Sequence, residues 1–185
     1  MLGNKQRERD LLDDDLYDED DEDTLEDMYL VFTCENKQYA LEIRYVTEIV
    51  ALQRITEVPD LPAYIKGIIN LRGRVFPVLD VRLRFNIKEQ VYDERTCFVI
   101  ASINENTIGL IVDAVNEVVK IPKENIEPPP KMGDMVTSRY VMGIGKVDDT
   151  VKILLNLESL LKDKEVLKVE EKIQELEELA ETVEA

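Results

Sequence analysis

The chain has 185 residues, 23 Lys+Arg against 40 Asp+Glu and no histidine, for a formal net charge of -17. That length bounds one domain with appendages. The acidic excess opposes nucleic acid and anionic membranes, and the missing histidine excludes a His-based triad and a phospho-accepting histidine. The charge sits at the ends: residues 1–28 carry net -10, residues 162–185 net -5, and residues 29–161 only -2. The reading is therefore an acidic disordered tail over 1–28, a folded domain over 29–161 and a charged helical extension over 162–185.

No apolar run reaches the ~20 residues that span a bilayer, and the charged N-terminus is unlike a signal peptide, so a cytoplasmic protein without membrane insertion is expected. Cys34 and Cys97 each lie in an apolar strand-like run and read as packed thiols rather than a disulfide or metal pair. The tail around Asp13–Asp15 lacks the glycine of a calcium loop, so no metal site is assigned to it.

In chain order, Tyr29–Cys34 and Gln38–Leu41 flank Glu35-Asn36-Lys37 and suit a hairpin. Over Glu42–Val50, Ile43, Val46, Ile49 and Val50 fall at spacings of 3 and 4, which predicts a short amphipathic helix, followed by a strand over Ala51–Val58. Ile65–Leu71 is a nearly continuous apolar run that predicts a buried strand. Asn70-Leu71-Arg72-Gly73 predicts a tight turn with Arg72 at its tip, and Val75–Leu79 returns as a second strand in which Pro77 implies an edge or a bulge. Asp80 suits a helix N-cap. Thr96–Ile103 and Thr107–Val112 form a strand pair around Asn104-Glu105-Asn106, and Asp113–Ile121 has mixed strand and helix character. Pro122, Pro128-Pro129-Pro130 and Gly133 mark a long exposed connection. Tyr140–Val147 and Val151–Leu155 form the last β pair, turning at Asp148-Asp149, with Asn156 as the next cap. In the extension, Val166, Val169, Ile173, Leu176, Ala180 and Val183 make a heptad seam, too short for a coiled coil and suited to a docked or frayed helix.

The chain repeats itself. At a shift of 69, Leu41, Val46 and Glu48 fall on Leu110, Val115 and Glu117; at a shift of 76, Gly67-Ile68 falls on Gly143-Ile144 and Val75–Val81 on Val151–Leu157. Two related modules of short strands follow from this, each a small barrel.

The run IKGIINLRGRVFPVLDVRLRF, Ile65 to Phe85, together with Tyr39-Ala-Leu-Glu-Ile-Arg-Tyr-Val-Thr-Glu-Ile upstream, resembles the CheW family of chemotaxis coupling proteins over about Met28–Leu161. The resemblance implies a mainly β fold of two intertwined five-stranded SH3-like barrels with a groove between them. It also implies an adaptor that joins the cytoplasmic tip of chemoreceptors to the regulatory domain of the histidine kinase CheA. Carried over by position, the partner-binding face includes Val46, Glu48, Gly67 and Arg72. Ile49 is assigned to that face because it shares the expected helical face with Val46.

From the residues themselves, Arg72 has no core role and offers a guanidinium fork for a partner's carboxylate. Gly67 fits close strand packing. No Gly-x-Ser-x-Gly setting, Cys-x-x-Cys pair or phosphate loop is present, so the chain reads as a non-enzymatic binding module with no cofactor, no metal and no catalytic residue. A CheW-like scaffold of another signalling array, or an acidic metal-buffering or chaperone-like protein acting through its tail, are the alternatives.

Overall fold

The computed structural model describes residues 25–130 and 136–184. The acidic run at Asp13–Asp15 and Gly133 in the long connection lie outside these residues.

Alternation of apolar side chains builds the first hairpin. β1 (Met28–Cys34) pairs antiparallel with β2 (Lys37–Glu42), Phe32 facing Tyr39 across the ladder. Both faces are buried: Leu30, Phe32 and Cys34 enter one apolar cluster, and Tyr29 and Val31 another.

The helix expected over Glu42–Val50 is not formed. Ile43–Tyr45 make a single 3-10 turn, and Val46–Ala51 is strand β3. β-branched Val46, Thr47, Ile49 and Val50 favour extended backbone. A bulge supplies the misleading spacing: Val46 lies opposite Ala101, Glu48 opposite Ile100 and Ile49 opposite Val99, with the register slipping at Thr47. Val46 and Ile49, three apart, consequently project from the same face of the sheet, as they would on a helix. The strand expected over Ala51–Val58 reduces to one bridge, where Thr56 and Ile68 exchange N–H···O bonds of 2.9 Å in both directions.

β4 (Ile65–Leu71) and β5 (Arg74–Asp80) form the next hairpin, and Asp80 caps α1 (Val81–Arg84) by accepting from the amides of Arg82 and Leu83. Pro77 lies just before β5 begins its parallel pairing with the seventh strand at Val78, so its missing N–H interrupts no bond of that ladder. β6 (Cys97–Ile103), β7 (Asn106–Val112) and β8 (Ala114–Lys120) follow. Asn106 therefore starts a strand rather than ending a turn, and the mixed segment after Asp113 resolves as strand. The proline-rich connection holds a 3-10 turn over Lys123–Asn125 and the two-residue β9 (Ile126–Glu127). β10 (Val141–Val147), β11 (Thr150–Leu155), α2 (Leu157–Leu161), capped by Asn156, and α3 (Lys164–Glu184) complete the chain.

The sheets interlock. One runs β8-β1-β2-β11-β10-β9 and the other β3-β6-β7-β5-β4, so each combines one hairpin from its own half with strands from the other half. The repeat holds at the level of individual pairs: Val78 opposite Gly109 answers to Leu154 opposite Ala40, and Val46 opposite Ala101 answers to Val115 opposite Phe32. Each module curls on itself, its interior filled by Phe76, Val78, Phe98 and Ile100 in one and by Val31, Ala40, Ile121 and Leu154 in the other. Neither ladder is continuous around the barrel. The gap between β3 and β4 is spanned by the Thr56 bridge, and its counterpart in the second module is β9 against Gly145 and Ile144.

The largest cluster lies between the modules and takes in α2 and the first half of α3. Val166, Val169 and Ile173 are buried there, so the first half of the expected heptad seam docks on the domain, while Leu176 and Ala180 further along it are exposed. Asp163 anchors that helix. It accepts from Tyr64 Oη at 3.0 Å and Tyr140 Oη at 2.9 Å, pairs with Arg84 at 2.8 Å and caps the amide of Glu165 at 2.9 Å. The Arg84 guanidinium lies over both tyrosine rings.

Candidate functional site

The turn from β4 to β5 places Arg72 and Gly73 at its two central positions, with φ of 53° and 85°. Positive φ at both central positions suits the right-handed twist of a hairpin. Asn70 Oδ1 accepts from the Gly73 amide at 2.9 Å and holds the turn. Arg72 is 74% exposed in its side chain, and its Nη1 donates to Glu48 Oε1 at 2.8 Å; Glu48 is 28% exposed. Two residues 24 apart in sequence and on opposite edges of the open sheet thus meet across the barrel's gap.

Gly67 is what lets the gap close. Its φ is +143°, and a Cβ built there would stand 2.1 Å from the backbone oxygen of Thr56. Gly143 repeats the arrangement against Glu127, with a Cβ at 2.9 Å from that backbone oxygen. The close approach belongs to the fold of both modules, and in the first it sets how near β3 comes to the Arg72 turn.

Val46 is half-buried and packs on the central cluster, whereas Ile49, on the same face, is 44% exposed. Glu48 lies opposite Ile100, on the other face of the strand. The five residues therefore divide. Glu48 and Arg72 form an ionic rim at the end of the barrel, Val46 and Ile49 form an apolar strip on the side toward the second module, and Gly67 supports the rim from within the gap.

Sequence reasoning missed the partner of Arg82. Its Nε donates to Asp113 Oδ1 at 2.7 Å, its Nη2 donates to the other carboxylate oxygen and its Nη1 donates to the Lys88 carbonyl at 3.0 Å, while Asp113 also accepts from the Glu35 amide at 2.8 Å. Asp80, already capping α1, accepts from Tyr92 Oη at 2.7 Å. Asp80 and Arg82 thus brace the central junction, and the 31-residue separation of Arg82 from Asp113 left no local pattern to read.

The chemistry of the remaining groups is quiet. Burial pushes the Cys34 thiol up to about 12 and also raises Cys97, so neither is poised as a thiolate. Both are free. Among the described residues no group of three or more His, Cys, Asp or Glu side chains is arranged to hold a metal, and no helix is long and apolar enough to cross a membrane.

The profile of the CheW-like domain matches residues 28–165. This chain belongs to the CheW-like domain family. The chemotaxis protein CheW of Klebsiella aerogenes is 31% identical over 148 residues, covering 80% of this chain and 89% of the relative. That of Helicobacter pylori is 33% identical over 145 residues, covering 78% and 86%. The crystal structure of the scaffolding protein TtCheW from Thermoanaerobacter tengcongensis matches with a TM-score of 0.69 at 38% identity, over 75% of this chain and 94% of that one. The relatives are thus chemotaxis proteins, and the CheW-like fold accounts for the interlocked β modules. The match ends at residue 165, the second residue of α3, so nearly all of that helix lies beyond it.

Proposed function

We propose that this chain is a non-enzymatic, cytoplasmic chemotaxis adaptor that couples the cytoplasmic tip of methyl-accepting chemoreceptors to the regulatory domain of the kinase CheA. The observation that carries the reading is the exposed Arg72 guanidinium, tethered to Glu48 at 2.8 Å and beside an edge strand that presents Ile49. An ion pair this exposed contributes little to folding. It does hold a long side chain in one place, which reduces the entropy lost when a partner's carboxylate replaces or joins Glu48.

The apolar strip of Val46 and Ile49 suits a helix laid against it, with anchors one turn apart. A chemoreceptor tip is an α-helical hairpin of the required kind. Gly67 acts on this surface through the closure of the barrel rather than by contact. Family membership supports the scaffold role and the absence of catalysis.

The test is a binding titration of the full chain against two probes, a receptor-tip helical hairpin and the isolated CheA regulatory domain. Binding to both is expected. Binding to neither overturns the proposal.

A further inference from the structure

The repeat makes a comparison within one molecule possible. Val75 and Pro77 of β5 answer to Val151 and Ile153 of β11. In the first module α3 lies along β5, and Val75 is half-buried and Pro77 buried. In the second module no element lies there among the described residues: Val151 is 54% exposed and Ile153 half-buried. The same strand surface carries a helix in one module and is bare in the other.

A helix face without a partner is present on the same chain. After Ile173 the side chains of α3 leave the domain, with Leu176 61% and Leu179 62% exposed. Glu175, Glu177, Glu178, Glu181 and Glu184 accompany them, and no Lys or Arg follows Lys172. The bare strand surface presents a lysine on each side of Val151, with Asp148 and Asp149 in the turn that precedes it. Lys146 lies directly across from Val151 in the β10 ladder. β2 runs parallel to β11 with Tyr39 opposite Ile153, which brings Lys37 level with Val151 on the same face. The ion pairs of these lysines, Lys146 with Glu127 and Lys37 with Glu35, are exposed and readily exchanged.

We propose that the second half of α3 from one copy docks on β11 of another, Leu176 and Leu179 against Val151 and Ile153, with the flanking glutamates toward Lys37 and Lys146. The reciprocal contact closes a two-fold dimer and gives the second module the helix that α3 already gives the first. Pairing of two α3 ends with each other is opposed by their charge, since that half of the helix is wholly acidic. The chain's own residues 1–28, net -10, are repelled by the α3 end but attracted to the lysines, and are the competing occupant of β11.

The experiment is sedimentation velocity of the full chain over a range of concentrations, beside Leu176→Gln/Leu179→Gln, Val151→Asp and a form lacking residues 1–24. A concentration-dependent dimer is expected, absent in the helix variant and in Val151→Asp and retained without residues 1–24. Thermal melts of each variant accompany the runs, Val151, Leu176 and Leu179 being exposed. Mixing the helix variant with Val151→Asp should restore a heterodimer, because one intact contact of the two remains. A monomer at every concentration, a dimer that survives both variants, a mixture that stays monomeric, or a dimer lost only with residues 1–24 each overturns the proposal.

Discussion

Replacing Arg72 by alanine separates an interaction role from a structural one. The Arg72 side chain is 74% exposed and its charged partner among the described residues, Glu48, is 28% exposed. An exposed pair contributes about 0.2–1 kcal/mol, and alanine inherits the same positive φ without added strain. For a chain of this length, 1 kcal/mol moves the melting temperature by roughly 2–4 °C, so the melt should shift by no more than that. Against a partner carboxylate the same deletion removes a charge-assisted bond of about 1.5–3 kcal/mol, tenfold or more in affinity. Calorimetric titration of the two probes beside a thermal melt reads both quantities. The exchange Arg72→Glu with Glu48→Arg sharpens the test. It rebuilds the pair within the chain but moves the cation from the turn to β3. Restored binding would show that the pair itself matters; continued loss shows that a cation is required at the turn. Unchanged affinity of Arg72→Ala for both probes would refute the reasoning.

The apolar strip divides by burial. Ile49→Asp should leave the melt nearly unchanged and weaken receptor-tip binding about tenfold, whereas Val46→Asp places a carboxylate beside buried Ala101 and should destabilise by roughly 1–3 kcal/mol; equal melts of the two variants would contradict this. Gly67→Ala must displace Thr56, breaking two bridging bonds of about 1 kcal/mol each, and faster amide exchange at Thr56 and Ile68 is the measurement. Burial works to raise the pKa of Asp163, but the hydrogen bonds from Tyr140 and Tyr64, the Arg84 charge and the Glu165 amide outweigh it and leave the pKa below its usual value. A depressed carboxylate contributes stability that is complete above its unfolded pKa of ~3.9 and is lost as pH falls through the folded value. Asp163→Ala should therefore cost about 3–5 kcal/mol at neutral pH, because Arg84 is left buried without its counter-charge, and should flatten the acid limb of the stability curve; an unchanged acid limb would contradict the assignment.

Much of the architecture was legible because it depends on local chemistry. The Asp80 and Asn156 caps, the Asn70–Gly73 turn and the strand pairs around them are each written in a few neighbouring residues. The repeat was legible too, since paired strands carry the same alternation in both halves. β3 was misread for a physical reason. A bulge inserts one residue, so apolar side chains on a single sheet face acquire the spacing of a helix. Of the site, Arg72 could be placed from its turn alone. Its contact with Glu48 could not, because that pair exists only after the barrel has curled across the gap that Gly67 permits. The Asp163 anchor was invisible for the same reason: its partners Tyr64, Arg84 and Tyr140 come from three separate stretches of chain.

The internal repeat gives the protein two nearly equivalent barrel ends, so a partner that distinguishes them must do so by residues at which the symmetry fails. Arg72 and Glu48 answer to Asp148 and Glu117, with Asp148 keeping the positive φ of its counterpart at 51°. The first central position of the turn therefore keeps its backbone conformation while its charge is reversed; the second does not, since Gly73 has a positive φ and Asp149 is not among the positive-φ residues. Where the first module has an ion pair held at its rim, the corresponding positions of the second are both acidic. A partner's carboxylate placed at the turn would meet a cation in the first module and like charge in the second, a difference on which specificity can be built. α3 breaks the symmetry a second time by covering β5 and leaving β11 bare. The two modules thus share their strand pairing and differ in turn charge and in helix cover.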